Sequence, residues 1–249
     1  MSKNVLILGA TSGIAEAICH ELSKRGDRLI LTGRNVEEME KTAADLRVRH
    51  QTDPVVVQFD ALDFDGHGEF IDQCFSAVDN KIDCTILCYG YLADQAETQT
   101  DWDKARRTVD VNFTSAVSIL HLIAERFERI RSGQIAVISS VAGDCGRMSN
   151  YTYGASKAGV SAFVQGLRNR LHHANVPVLT VKPGFVDTPM VHGLVDPKSP
   201  IVASPQRVAK DIVRAIDKKR NVIYTPWLWW VILTIIKFIP ECIFKRLKL

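Results

Sequence analysis

Two side chains in this sequence have the types and the spacing for acid–base chemistry, Tyr153 and Lys157. Residues four apart share one face of a helix, and a nearby ammonium favours the phenolate. We therefore expect the pKa of Tyr153 to lie below its usual value of about 10, which suits general acid–base catalysis. Ser140 ends an apolar run upstream, where its hydroxyl would orient a substrate carbonyl. The three residues predict reduction of a ketone or oxidation of a secondary alcohol.

A glycine-rich turn near the N-terminus points to a nucleotide. It follows the apolar residues 5–8 and precedes a helical pattern. Gly9 would permit a tight turn, and Gly13 would let the backbone approach a pyrophosphate at the helix N-terminus. An ordinary turn is the alternative. The predicted cofactor contacts of this segment are Gly9, Thr11, Ser12, Gly13 and Ile14.

Three further positions bear on the cofactor. Arg34 follows the second predicted strand, where a carboxylate would favour NAD and a guanidinium binds a 2′-phosphate in a bidentate manner. We predict NADP(H) in preference to NAD(H), the alternative being a solvated arginine. Asp60, after the third strand, would accept a hydrogen bond from the adenine amino group, and Gly90, after the fourth, would leave room for the nucleotide. Both are also common turn residues.

The elements that must position these residues alternate along the chain. Apolar runs predict strands at residues 5–8, 28–31, 55–59, 82–88, 134–139, 176–181 and 221–224, with helical patterns between most of them. Such alternation predicts an α/β fold, a single Rossmann-type doubly wound parallel sheet of about seven strands with helices on both faces. We expect one catalytic domain over residues 1–225 and a separate C-terminal tail over 226–249.

Over residues 4–225 the sequence resembles the short-chain dehydrogenase/reductase family. The resemblance rests on the glycine turn, Asp60, Asn112, the Ser–Tyr–Lys set and residues 183–188. It implies that Asn112 holds a water in a proton relay with Lys157, and that Lys157 binds the nicotinamide ribose. It also implies that the nicotinamide is wrapped by Pro183, Gly184, Val186 and Thr188. The family usually carries Asn-Asn-Ala-Gly after the fourth strand, and Cys88-Tyr89-Gly90 here puts the bracing of the central strands in doubt.

Residues 59–63, 112–114, 133–159 and 239–247 resemble one subgroup, the reductases of decaprenylphosphoryl-2-keto-erythro-pentose. That resemblance implies a polyprenyl-phosphate-linked keto sugar as substrate, cell-wall arabinan synthesis as context, a flavin oxidase partner and a homo-oligomer. The subgroup is usually associated with NADH, which conflicts with the preference inferred from Arg34. We still predict NADP(H) in preference to NAD(H). Two alternatives remain open: a reductase of another lipophilic ketone (acyl, steroid-like or retinoid), and a cofactor-sensing binding protein without catalysis.

The tail is strongly apolar over residues 227–239. As a helix of about 13 residues it would be roughly 20 Å long, too short for a hydrocarbon core of about 30 Å. Its three tryptophans suit a membrane interface, and the basic residues Lys237, Lys245, Arg246 and Lys248 suit anionic lipid. We expect the tail to bind the membrane surface, with packing on the domain or a dimer contact as the alternative.

Two features lie near the predicted substrate site. Residues 190–204, with Pro197 and Pro200, predict a mobile lid. Arg147 is placed either to meet a substrate phosphate or to remain solvated.

The composition excludes some classes of protein. A net charge of +3 over 249 residues gives no basis for nucleic-acid binding. The six cysteines and seven histidines show no metal-ligand spacing, so we expect reduced thiols and no metal site. The N-terminal residues lack the pattern of a signal peptide, and we expect a cytoplasmic protein at the inner face of the membrane.

Overall fold

The computed structural model describes residues 2–191, 193, 195–196 and 198–247. Its strands are β1 (Asn4–Leu8), β2 (Arg28–Gly33), β3 (Val55–Gln58), β4 (Cys84–Leu87), β5 (Ile135–Ile138), β6 (Val178–Pro183), β7 (Phe185–Val186), β8 (Val202–Ala203) and β9 (Val222–Thr225). Its helices are α1 (Gly13–Ser23), α2 (Val36–His50), α3 (His67–Ser76), α4 (Gln95–Thr100), α5 (Trp102–Val109), α6 (Ser115–Ile130), α7 (Tyr151–His172), α8 (Pro205–Asp217), α9 (Leu228–Lys237) and α10 (Glu241–Phe244).

Seven strands form one parallel sheet in the order β3-β2-β1-β4-β5-β6-β9. The predicted doubly wound architecture is confirmed, and each predicted strand is present with ends shifted by a few residues. The strand order changes direction between β1 and β4, and ligands of such sheets bind at the carboxyl ends of the strands beside this point. The glycine turn, Gly90 and Ser140 all follow strands at that edge.

Helices cover both faces because the central strands are apolar on both sides. One core contains Ile18 of α1, Leu46 of α2 and Ile212 of α8 against the sheet. The other contains Ile71 of α3, together with apolar residues of α6 and α7. The central strand β4 is buried along its whole length, which explains why it appears in the sequence as a continuous apolar run rather than an alternating one.

A second, two-stranded ladder lies beside the substrate edge. Phe185 pairs with Val202 and Val186 pairs with Ala203, so β8 holds the end of the segment predicted as a lid against the loop after β6. Within that segment Pro197 lies outside the described residues.

The C-terminal tail packs on the domain through one side of α9. Trp229 is 5% exposed and Leu233 is 1% exposed, and both join a small core with Val141. The helix is shorter than the one predicted over residues 227–239, and Lys248 lies outside the described residues. Among the described helices none is long and apolar enough to cross a membrane.

Candidate active site

The loop after β5 contacts the start of α7 very closely, and two glycines make this possible. A Cβ at Gly143 would lie 2.6 Å from the carbonyl carbon of Lys157, and one at Gly154 would lie 2.8 Å from the Ala142 oxygen. Ser139 strengthens the contact because its hydroxyl donates to the Lys157 carbonyl at 3.0 Å. The loop is thereby fixed against the helix that carries the tyrosine and the lysine.

This contact brings Ser140, Tyr153 and Lys157 into one cavity of about 260 Å³. The hydroxyls of Ser140 and Tyr153 share a hydrogen bond, and Ser140 Oγ also accepts from the Ala142 N–H at 3.0 Å. Lys157 is 4% exposed, and its Nζ donates to the Ile138 carbonyl at 3.1 Å. The three predicted residues therefore meet in the arrangement that acid–base chemistry on a carbonyl requires.

The expected acidification of the phenol is wrong for this structure. Burial raises the pKa of Tyr153 to about 12, and the hydrogen bond with Ser140 lowers it only in part. Burial also lowers the pKa of Lys157 to about 8. Lys157 Nζ lies 5.8 Å from the centre of the Tyr153 ring and is directed at a carbonyl, so desolvation outweighs the attraction between ammonium and phenolate.

Asn112 lies behind Lys157, in a widened helical turn (Asp110–Thr114) that often marks functional sites. Its Oδ1 accepts from the Tyr91 N–H at 2.8 Å, and its Nδ2 donates to the Tyr91 carbonyl and to Ser156 Oγ. A Cβ at Gly90 would lie 3.1 Å from Asn112 Oδ1 and 3.3 Å from Lys157 Nζ. Glycine at this position thus avoids a close contact with both side chains.

The turn between β1 and α1 has the shape that a pyrophosphate needs. Gly9 has a φ of +87°, and a Cβ there would lie 2.6 Å from the Tyr89 Cβ. Ser12 caps α1 by accepting from the Ala15 N–H. Gly13, at the N-terminus of α1, lines the same cavity as Tyr153. The other predicted contacts that line this cavity are Thr11, Ser12 and Ile14.

A second cavity of about 260 Å³ continues from the first and shares Thr11, Ser12 and Gly90 with it. Arg34 and Asp60 both line it, and Arg34 is exposed. One Asp60 oxygen accepts from the Leu62 N–H at 3.0 Å, so this carboxylate also shapes the turn after β3. The two cavities adjoin, with Tyr153 lining the first and Arg34 lining the second.

The loop after β6 closes the first cavity. Pro183, Gly184 and Val186 line it, and Thr188 donates to the Val186 carbonyl while its methyl group lies beside Gly13. A Cβ at Gly184 would lie 1.7 Å from Trp229 Nε1. The α9 helix therefore packs directly on the loop that the family resemblance assigns to the nicotinamide.

The substituted segment after β4 is braced by other means. The Tyr89 hydroxyl shares a hydrogen bond with Ser115 Oγ at 2.9 Å, and its ring packs beside Phe59 with centroids 5.6 Å apart. Tyr89 thus ties the end of β4 to the start of α6, which answers the doubt raised by the missing asparagines.

Several residues of the site have no signal in the sequence. Tyr91 and Arg107 line the second cavity, with the Arg107 guanidinium 5.5 Å from the centre of the Tyr91 ring. The sequence does not identify Trp229 as a neighbour of the site. Three tryptophans lie close together in the tail, and their spacing does not show which of them is buried. Position after a strand was the signal that found Ser140, Asp60 and Gly90, and it does not apply to side chains from α5 or α9, such as Arg107 and Trp229.

A family model, curated relatives and a solved structure all indicate the same protein family. A sequence model described as short chain dehydrogenase matches residues 3–199. An uncharacterized oxidoreductase of Mycobacterium tuberculosis is 31% identical over 243 residues, which cover 98% of this chain and 96% of that protein. Dehydrogenase/reductase SDR family member 7B of Bos taurus is 31% identical over 87% of this chain and 71% of its own length. A solved short-chain dehydrogenase from Sphingobium yanoikuyae, in complex with NADPH, has a TM-score of 0.81 at 24% identity, covering 96% of this chain and 97% of that chain.

Proposed function

This chain belongs to the short-chain dehydrogenase/reductase family and is an NAD(P)-dependent oxidoreductase acting on CH–OH and C=O groups; from that premise we propose that it reduces the ketone of a lipid-linked sugar with NADPH. The observation that carries the ketone chemistry is the pair of hydrogen-bonded hydroxyls, Ser140 and Tyr153, in one cavity with buried Lys157.

Each side chain has a separate role in the proposed reaction. NADPH, when bound, would supply the hydride to the carbonyl carbon. Ser140 donates a hydrogen bond to the carbonyl oxygen, and Tyr153 donates one as well and then transfers its proton to the developing alkoxide. Lys157 would return a proton to Tyr153, and Asn112 would hold the water that resupplies the lysine.

The preference for NADPH is supported by charge at the far end of the cleft. Arg34 and Arg107 both line the second cavity, and no carboxylate among the described residues pairs with Arg34. A guanidinium free of carboxylates favours a 2′-phosphate. The NADPH bound to the Sphingobium yanoikuyae protein agrees with this.

The cofactor preference is measured as the ratio of kcat/KM with NADPH to kcat/KM with NADH. We expect Arg34→Ala to lower this ratio about 10-fold or more, since a charge-assisted hydrogen bond contributes about 1.5–3 kcal/mol. Arg49→Ala is the matched control, because Arg49 is exposed on α2 and pairs with Asp45. Wild-type preference for NADH, or an unchanged ratio in Arg34→Ala, contradicts the assignment.

The lipid-linked substrate is supported by the walls of the first cavity and by the subgroup resemblance. Leu92, Val141, Phe185 and Met190 line the cavity beside Tyr153. These apolar walls also favour the second candidate, reduction of an acyl, steroid-like or retinoid ketone. Turnover of such ketones with none on a polyprenylphosphoryl keto-pentose would select that candidate.

Membrane binding through the tail is supported by the outer side of α9. Trp230, Ile235 and Phe238 are 56%, 62% and 81% exposed, and the exposed cations Lys245 and Arg246 follow. An apolar patch flanked by basic residues suits an anionic membrane surface. Trp229 and Leu233 hold the helix from the other side, so the patch is presented without detaching the tail.

Flotation with phosphatidylcholine vesicles, with and without phosphatidylglycerol, tests the membrane proposal. The variant Trp230→Ser with Phe238→Ser is expected to stay with the soluble fraction while the wild type floats with anionic vesicles. Trp102→Ser is the control, since Trp102 is 74% exposed on α5. Equal flotation of all three proteins refutes the proposal.

The central experiment follows NADPH oxidation by absorbance with a panel of ketones that includes a farnesylphosphoryl keto-pentose. We expect turnover of the keto-pentose conjugate and its loss in Tyr153→Phe. Absence of turnover on every ketone refutes ketone reduction.

Two implied partners, a flavin oxidase that supplies the ketone and a second copy of this chain, are checked by co-purification and by light scattering.

A further inference from the structure

One cation in the substrate cavity has no counterion among the residues that the structure describes. Arg147 lines the same cavity as Tyr153, and its side chain makes no hydrogen bond or ion pair with the residues that the structure describes. It is half-buried, and its Nε is hidden from solvent without any acceptor. Burial lowers the pKa of Arg147, the direction expected for a guanidinium taken out of water without a carboxylate.

The nearest acidic residue in the sequence is already used. Asp144 is 3% exposed at its side chain, and it forms ion pairs with Lys182 and, at 3.2 Å, with Lys237. It also accepts from the Tyr224 hydroxyl at 2.5 Å. Arg147 therefore cannot pair with Asp144 unless Asp144 gives up contacts with β6, β9 or α9.

The walls of the cavity that Arg147 lines are largely apolar, among them Val141 and Met190. Asn150 also lines the cavity, but its Oδ1, like Arg147 Nε, is hidden from solvent and is not reached from the cavity. The two Nη atoms of Arg147 are not among the hidden atoms and have no acceptor among the described residues. An accessible guanidinium without a counterion in an apolar cavity indicates a ligand anion.

We propose that Arg147 binds an oxyanion of the substrate, a phosphate or carboxylate carried on the same molecule as the reacting ketone. The inference rests on the proposed ketone reduction and names its substrate class as an anionic ketone. A guanidinium in an apolar cavity is effective for this task, because the low local dielectric strengthens its bonds to an oxyanion.

The test uses a matched pair of ketones, a farnesylphosphoryl keto-pentose and the neutral farnesyl glycoside of the same keto-pentose. Wild type is expected to favour the phosphorylated ketone, mainly through a lower KM. Arg147→Met is expected to lower kcat/KM for that ketone about 10- to 100-fold, the loss of a charge-assisted hydrogen bond, and to change the neutral ketone by less than about twofold. Arg147→Lys keeps the charge and should retain part of the preference. Arg106→Met, a surface control whose arginine side chain is 62% exposed, should alter neither.

Thermal unfolding distinguishes ligand binding from a structural role for Arg147. A half-buried cation without a partner destabilises the fold, so the proposal predicts that Arg147→Met raises the midpoint of thermal unfolding. A lowered midpoint, or equal losses of kcat/KM on both ketones, overturns the proposal.

Binding of geranyl phosphate and of geraniol, measured by calorimetry with NADP⁺ present, separates this inference from the reduction itself. If no ketone is reduced but geranyl phosphate binds wild type and not Arg147→Met, the anion site stands and the proposed reaction fails. If wild type and Arg147→Met bind geranyl phosphate equally, the anion site fails whatever the ketone assay shows.

Discussion

The docking of α9 can be tested by comparing two adjacent tryptophans. Trp229 is 5% exposed and Trp230 is 56% exposed, although they follow one another on the same helix. The Trp229 ring meets Phe185 edge to face with centroids 5.5 Å apart, and it fills the space above Gly184. Removal of a buried tryptophan side chain costs about 3–5 kcal/mol, and a surface substitution usually less than about 0.5 kcal/mol.

We expect Trp229→Ala to release α9 while the parallel sheet stays folded, because the helix lies at the edge of the domain. Urea unfolding followed by far-UV circular dichroism should show the loss of stability, and limited trypsin digestion should show faster cleavage at Lys237. The KM for NADPH should rise, since the loop around Gly184 loses its cover. Trp230→Ala should match wild type in all three measurements.

The same contact can be disturbed from its other side. A methyl group at Gly184 would lie 1.7 Å from Trp229 Nε1, so Gly184→Ala should release α9 as Trp229→Ala does. In the double variant the methyl group has space, and the two losses should fall short of additivity by more than about 1 kcal/mol. Additive losses, or equal effects of Trp229→Ala and Trp230→Ala, would refute the packing of α9 on this loop.

Three further outcomes follow from the site. Tyr153→Phe should lower kcat about 10²- to 10⁴-fold, the usual contribution of a general acid, with NADPH affinity by fluorescence titration unchanged; a loss below tenfold contradicts its role. Lys157 has a pKa of about 8 when folded and 10.5 as its ordinary value, so the unfolded chain binds more protons between these values. Wild type should therefore gain stability in urea relative to Lys157→Met from pH 8 to pH 10.5, while the raised pKa values of the buried cysteines Cys19, Cys74, Cys84 and Cys88 lower the stability of both proteins above pH 9; a pH-independent difference between the two proteins excludes this explanation. Tyr89→Phe should cost about 1 kcal/mol by losing the hydrogen bond with Ser115, and an unchanged unfolding midpoint would show that packing alone braces β4.

Much of the fold follows from patterns that are local in sequence. The strands are continuous apolar runs because they are buried on both faces, and such runs are visible without knowledge of their neighbours. The two-residue strands β7 and β8 have no such pattern, since each contributes only two residue pairs to a ladder formed far along the chain. The segment that contains β8 was therefore interpreted only as a lid.

The residues of the site also fall into two groups, those that a local sequence pattern predicts and those whose role depends on the folded structure. Residues that follow strands, such as Ser140 and Gly90, were found because the carboxyl ends of parallel strands share one edge. Gly143 and Gly154 were not, because their role depends on the distance between a loop and a helix. The side of α9 that packs on the domain was equally hidden, since both sides of that helix are apolar and hydrophobic periodicity cannot distinguish them.

The two shifted pKa values describe where the protons lie before the reaction. A phenol with a pKa of about 12 is protonated at neutral pH, and this is the form that donates to a developing alkoxide. After the transfer, the phenolate is a stronger base than usual, while Lys157, with a pKa of about 8, is a stronger acid than usual. Burial of both groups therefore favours return of a proton from the lysine to the tyrosine. Oxidation of the alcohol starts instead from the phenolate, and the same burial opposes its formation.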